Sequence, residues 1–166
     1  MSQTISEINE LEHYLGFSTN RLEITLDSKW AQNEIFSYDL LQRFYNKDDE
    51  LKIAVGKTTK ILKKLVESDN TNNKQVSNCF SLLGNMHYIL GDFNRSIGCF
   101  MKSLSYDKND LTSWVELMFA LRSNGNFTVF EDLMFNIEKI YFLWKNDPAK
   151  ELTKEKVYEL VNKAKN

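Results

Sequence analysis

The sequence predicts an all-α protein built from stacked antiparallel helical hairpins, with a C-terminal helix capping one end. Three observations indicate this. The 166 residues contain one proline and six glycines, too few chain breakers for a turn-rich β fold. Apolar residues recur at helical spacing over most of the chain. In addition, the Gly-Asp-Phe of Gly91–Phe93 returns as Gly-Asn-Phe at Gly125–Phe127, 34 residues later.

Bulk composition indicates an ordinary one-domain protein. The chain is 42% hydrophobic and 27% charged with a net charge of −2, which argues against a protein that binds nucleic acid through bulk charge. The first residues lack a signal-peptide pattern, and the longest strongly apolar stretch, Ile140–Trp144, is far too short to span a bilayer. Cys79 and Cys99 lack the spacing of a metal or redox pair, so we expect reduced thiols and a cytoplasmic location.

Residues 1–26 are expected to form a short helix and an extended arm. Ser6–Leu15 carries apolar residues at helical spacing, and Gly16 can end that helix. The segment Arg21–Leu26 then alternates apolar and polar side chains, which is the periodicity of a strand. Because no partner strand is evident, we expect an extended segment there rather than part of a sheet.

Residues 27–148 are expected to hold the helical hairpins. Asp27 and Ser28 are suitable N-caps for the first helix of this region, and Asp110 is suitable for a later one. The polar run at 68–74 is a loop by composition. The predicted helices are Lys29–Tyr45, Asp48–Glu67, Gln75–Leu90, Phe93–Tyr106, Leu111–Ser123 and Thr128–Lys145.

Residues 149–166 are expected to form the capping helix. Pro148, directly behind Asp147, is a helix-start signal, and the amphipathic pattern places the last helix around Lys154–Lys165. The preceding helix is apolar nearly all round between Phe127 and Trp144, so it needs cover on two sides, one of them from the capping helix. Any apolar surface left over predicts a homodimer or partner surface.

A fixed spacing of 34 residues relates two of the hairpins. The paired positions are Phe80 with Trp114, Leu83 with Leu117, Gly91 with Gly125 and Phe93 with Phe127. This period, with a helix–turn–helix in each unit, resembles the tetratricopeptide repeat family. The resemblance covers roughly 75–148 and implies an α-solenoid.

The first unit, Ser77–Asp110, resembles the family well. Leu83-Gly84 reproduces the family's Leu-Gly pair, and Ser96 and Ser103 take two positions that the family fills with small residues. We expect Gly84 to allow a close helix crossing, and Gly91 to end the first helix in a conformation that other residues resist.

The second unit is looser. Met118 replaces the close-approach glycine, and the Asp-Pro that closes a repeat arrives late, at Asp147-Pro148. Either the second helix of this unit is longer by about five residues or the unit is degenerate. The hairpin Lys29–Glu67 is a further, divergent candidate unit.

In this family the first helix of each unit lines a concave face, which implies a binding surface for a peptide or partner protein. The corresponding residues recur at i, i+3, i+7 and i+10, so each helix presents one stripe. They are Asn78, Ser81, Asn85 and Tyr88 in the first unit, and Thr112, Val115, Phe119 and Arg122 in the second. The chain's own N-terminal segment or solvent are alternative occupants of this face. The family's carboxylate clamp is not expected, since only Asn85 fits it.

Other candidate sites are weaker. Lys57, Lys60 and Lys64 form a basic stripe that we interpret as a solvated helix face. His13 and His87 lack spaced metal-ligand partners, and phosphate-loop, hydrolase-elbow and zinc-protease motifs are missing. We therefore expect a non-catalytic adaptor that binds a protein or peptide, with no cofactor, metal, nucleic acid or membrane. A small secretion-type chaperone and an accessory or regulatory subunit of an enzyme are the alternatives.

Overall fold

The structure is a computed structural model that describes residues 2–15, 42–68 and 72–166. Within these ranges all regular structure is helical, which confirms the predicted all-α class for this part of the chain. The helices are α1 (Ser2–Leu15), α2 (Asp48–Glu67), α3 (Asn73–Ile89), α4 (Phe93–Tyr106), α5 (Leu111–Ser123), α6 (Phe127–Lys145) and α7 (Lys154–Lys165). The predicted helix Lys29–Tyr45 lies outside the described residues except for its last few, and the predicted arm Arg21–Leu26 lies outside them altogether.

Local sequence signals account for the ends of α3, α4 and α5. The side chains of Asn72, Asp92 and Asp110 each accept a hydrogen bond from a backbone N–H in the first turn of the following helix, as N-caps do. Gly91 and Gly125 have φ of 81° and 88°, the left-handed conformation in which a helix commonly ends. The predicted cap Asp110 and the predicted role of Gly91 are thereby confirmed.

Helix α7 has the bounds predicted for the last helix, Lys154–Lys165, but the predicted start signal at Pro148 does not begin it. The helix begins at Lys154, with the Thr153 side chain accepting from the Lys156 N–H at 3.2 Å, rather than at Pro148. Asp147 Oδ1 instead accepts from the Ala149 N–H at 2.8 Å, which is a turn formed by a side chain rather than a helix start. The linker is also tied to α4, because the Leu152 N–H donates to Ser105 Oγ at 2.8 Å.

The described helices pack mainly against their neighbours in sequence, and α1 lies against α2 and α3. The α3–α4 pair is antiparallel and joined by serines: Ser96 Oγ donates to the Gly84 carbonyl at 2.8 Å, and Ser77 Oγ lies 2.9 Å from Ser103 Oγ. Short side chains at these positions let the two helices approach closely. The core forms two apolar clusters, one around Leu51, Val76 and Met86 and one around Phe100, Trp114 and Trp144.

Helix α6 is long and bent. Helix α6 has 19 residues, whereas α4, the second helix of the first unit, has 14. Of the two alternatives for the second unit, the structure therefore has the longer second helix. At Asn136 the backbone leaves the helical region (φ −127°), and the side-chain amide donates to the Asp132 carbonyl at 2.9 Å. A side chain that hydrogen-bonds the carbonyl four residues earlier disturbs the backbone hydrogen bonds of the helix and bends it. Helix α7 covers one side of α6, whereas Phe135 remains 77% exposed.

Candidate functional site

The first helices of the two units, α3 and α5, lie side by side. Asn85 Nδ2 and Ser81 Oγ donate to the same oxygen, Glu116 Oε2, at 2.5 and 3.1 Å. Further along, Tyr88 Oη lies 2.8 Å from Ser123 Oγ. Three residues of the first predicted stripe therefore contact α5, but through Glu116 and Ser123, neither of which belongs to the second predicted stripe. We call the surface that carries the two stripes the α3–α5 face.

Half of the predicted stripe residues are not open to solvent, which corrects the expectation of an exposed groove floor. Buried side chains are Ser81, Asn85, Val115 and Phe119; half-buried side chains are Asn78, Tyr88, Thr112 and Arg122. Val115 and Phe119 belong to the apolar core cluster of α4–α7. Ser81 and Asn85 are buried where they donate hydrogen bonds to the carboxylate of Glu116, because a buried charged group requires such donors.

Glu116 is a buried charged residue of this face that sequence reasoning missed. It is 7% exposed and accepts hydrogen bonds from two residues of the neighbouring helix. The signal was present in the sequence, because Glu116 is the single charged residue between Leu111 and Leu121. A lone charge in an apolar helix is informative, since charged residues are almost never fully buried unless they are paired.

One end of the α3–α5 face carries a cluster of aromatic rings around a guanidinium. The Arg122 guanidinium lies 4.7 Å from the Phe119 ring centroid and 5.3 Å from that of Phe130, distances at which cation–π attraction operates. The Tyr88 ring meets that of Phe93 edge-on at 5.3 Å. The Arg122 head therefore lies against one ring of α5 and one ring of α6.

Cys79, Cys99 and His87 occupy packed positions in the helices. Burial raises the pKa of the Cys79 and Cys99 thiols to about 12, which leaves little reactive thiolate at neutral pH. Cys79 is buried as expected, but Cys99 is only half-buried. Burial also lowers the pKa of His87, which favours the neutral imidazole.

Within residues 2–15, 42–68 and 72–166, no three histidine, cysteine or acidic side chains gather where a metal ion could bind. The helices in those ranges include none that is long and apolar enough to cross a membrane. Comparison with protein-family models, curated proteins and solved structures found no match to this chain. The tetratricopeptide resemblance therefore rests on the residues of this chain alone.

Proposed function

We propose that the protein is a non-catalytic interaction module, a tetratricopeptide-like adaptor, that binds a peptide or partner protein on the α3–α5 face. The observation that carries the proposal is found at one end of that face, where the half-buried Arg122 lies over the Phe119 and Phe130 rings, and the half-buried Tyr88 has its Oη 2.8 Å from Oγ of the next residue along the chain, Ser123. Arginine and tyrosine are enriched among the residues that dominate binding energy at protein interfaces.

The buried hydrogen bonds among Ser81, Asn85 and Glu116 support the same proposal, because they position the two helices that carry the binding residues. Ser81 and Asn85 on α3 are joined through Glu116 to α5, and this link sets the spacing between the two helices. The spacing in turn holds Tyr88 and Arg122 in place on neighbouring helices. A surface that is ordered before binding loses less conformational entropy when a partner arrives. In this account Ser81, Asn85 and Glu116 position the surface, and the half-buried residues contact the partner.

Site-specific photo-crosslinking tests this assignment. A photoreactive phenylalanine analogue replaces Tyr88 in the full chain, and the protein is irradiated in lysate of its native host. We expect one or a few discrete protein adducts. The adducts should disappear when Arg122→Ala is combined with the labelled position, because the partner then loses its charged contact.

The matched control carries the same analogue at Lys139, which is exposed on α6. Adducts that form equally from position 139, or that persist with Arg122→Ala, would place binding elsewhere. Circular dichroism of each variant shows whether the fold is kept. A native fold without any adduct from position 88 would refute the proposed face.

A further inference from the structure

A second surface lies at the other end of the described chain, between α1 and α2. The two helices border an open cleft of about 700 Å³. Its lining residues are Glu7, Glu10, Leu11, Tyr14, Glu50, Ile53, Ala54, Lys57, Lys60, Ile61 and Lys64. The basic stripe that the sequence assigned to a solvated face therefore forms one wall of a cleft.

The direction of α1 places opposite charges on the two walls. Tyr14, near the end of α1, donates through Oη to Glu50 Oε2 at 3.4 Å, and its ring meets that of Phe44 at 5.0 Å. The end of α1 thus lies beside the start of α2, so the helices are antiparallel. Glu7 and Glu10, which precede Tyr14 on α1, line the same cleft as Lys57, Lys60 and Lys64 of α2.

The floor between these walls is apolar. Leu11, Ala54 and Ile61 line it and are buried, whereas Ile53 is 62% exposed at its edge. A large exposed aliphatic side chain within a cleft is a more informative feature than one isolated on a convex surface. The α2 wall runs from Glu50 to Lys64, which at 1.5 Å per residue is about 21 Å, or four helical turns.

We propose that this cleft binds an amphipathic helix of a partner protein, with acidic residues on one flank of its apolar stripe and basic residues on the other. The apolar stripe would contact the exposed Ile53 above the buried floor of the cleft, the acidic flank would lie along the lysine wall, and the basic flank along Glu7 and Glu10. Helices recognised in grooves use apolar anchors for affinity, and paired charges at the rim select the partner and its direction. This surface is separate from the α3–α5 face, and the inference does not depend on the proposed function.

The probe is a synthetic 21-residue helical peptide with leucines on one stripe, glutamates along one flank and lysines along the other; its helix of about 32 Å is long enough to span the cleft of about 21 Å. Fluorescence anisotropy measures its binding to the full chain. We expect Ile53→Ser to weaken binding while leaving the fold intact, because Ile53 is largely exposed. Lys60→Glu with Lys64→Glu makes both walls acidic and should weaken binding by about tenfold or more.

A charge exchange provides the decisive variant. Adding Glu7→Lys and Glu10→Lys to the two lysine reversals exchanges the signs of the walls. The same peptide then fits in the opposite direction, so binding should return. An isomeric peptide with glutamate and lysine mixed on both flanks should bind the parent chain about tenfold less tightly or worse.

Control variants separate this surface from the others. Lys52→Glu with Lys63→Glu changes exposed lysines of α2 that do not line the cleft and should leave binding unchanged, as should Arg122→Ala on the α3–α5 face. The inference is overturned if the parent chain fails to bind the peptide, if it binds both isomers equally, or if the charge exchange does not restore binding in a variant that circular dichroism shows to be folded.

Discussion

Gly84 lies directly against the ring of Phe100. A Cβ atom added at Gly84 would stand 2.7 Å from Phe100 Cε1 and 2.9 Å from Cδ1, well inside ordinary van der Waals contact. The ring is 1% exposed, and Ser96 Oγ donates to the Gly84 carbonyl at 2.8 Å. Neither the ring nor the backbone has room to move away, so the crossing of α3 and α4 requires glycine.

The first prediction follows from that contact. Gly84→Ala should lower the free energy of unfolding by about 1–3 kcal/mol, because the methyl group overpacks a filled core. Urea unfolding followed by circular dichroism measures the change. The matched control is Gly98→Ala in α4, where an added Cβ meets nothing within 4 Å. There the better helix propensity of alanine should raise stability by about 0.5–1 kcal/mol. Equal effects at the two positions would contradict the close crossing.

The second prediction concerns the hydrogen bond between Asn85 and Glu116. Asn85→Ala should destabilise the fold by about 1–3 kcal/mol, because a buried carboxylate loses a donor. The double variant Asn85→Ala/Glu116→Ala should lose less free energy of unfolding than the two single variants lose together. We expect the difference, which is the coupling energy, to be about 0.5–3 kcal/mol. Urea unfolding of the two single variants and the double variant gives this value. Glu138→Ala, on the exposed surface of α6, should stay within about ±0.5 kcal/mol. Additive losses would mean that the buried network does not couple α3 to α5.

The third prediction concerns the thiols. With pKa values of about 12, Cys79 and Cys99 should react slowly with a thiol reagent in the native state and rapidly in denaturant. Cys99→Ser leaves Cys79 to be followed alone, and Cys79→Ser does the converse. We expect the half-buried Cys99 to be the faster of the two. Native labelling of Cys79 as fast as in denaturant would show that its thiol is accessible.

The fourth prediction concerns pH. The Ala149 N–H, followed by the Lys156 and Lys108 ammonium groups, holds the pKa of Asp147 below its ordinary value against the opposing effect of burial. The unfolded chain, with a carboxyl pKa of about 3.9, therefore takes up this proton before the folded chain does. The stabilisation is present above about pH 4 and is lost as the pH falls through the lower folded pKa.

Asp147→Asn tests that linkage, because asparagine cannot ionise. The parent chain should be more stable than Asp147→Asn at about pH 6, and the difference should shrink as the pH falls towards 3. Urea midpoints across this range provide the measurement. Asp132→Asn is a comparison at another carboxylate, which Lys165 reaches at 3.5 Å on a more exposed surface; at about pH 6 its stability should differ less from that of the parent chain. A stability difference between the parent chain and Asp147→Asn that does not change with pH would contradict the linkage.

The helices were predictable because their determinants are local. Asp110 accepts a hydrogen bond from the N–H of Ser113, three residues away, and Gly91 ends α3 through its own φ of 81°. Interactions of this kind are encoded within one or two turns of the chain. The predicted start signal at Pro148 was wrong for the opposite reason. The segment before α7 is held by Ser105, which is 47 residues from its partner Leu152 in sequence.

The sequence alone determined the all-α class of the described ranges and the helix bounds from α3 to α6 within about two residues. Tertiary structure alone decided which stripe residues are buried, since Asn85 is enclosed by Glu116 from the neighbouring helix. It also decided that Lys57, Lys60 and Lys64 border a cleft, because α1 packs alongside them. Helix formation depends on hydrogen bonds and backbone angles of nearby residues. The burial and electrostatic setting of a side chain depend on what a distant segment places opposite it.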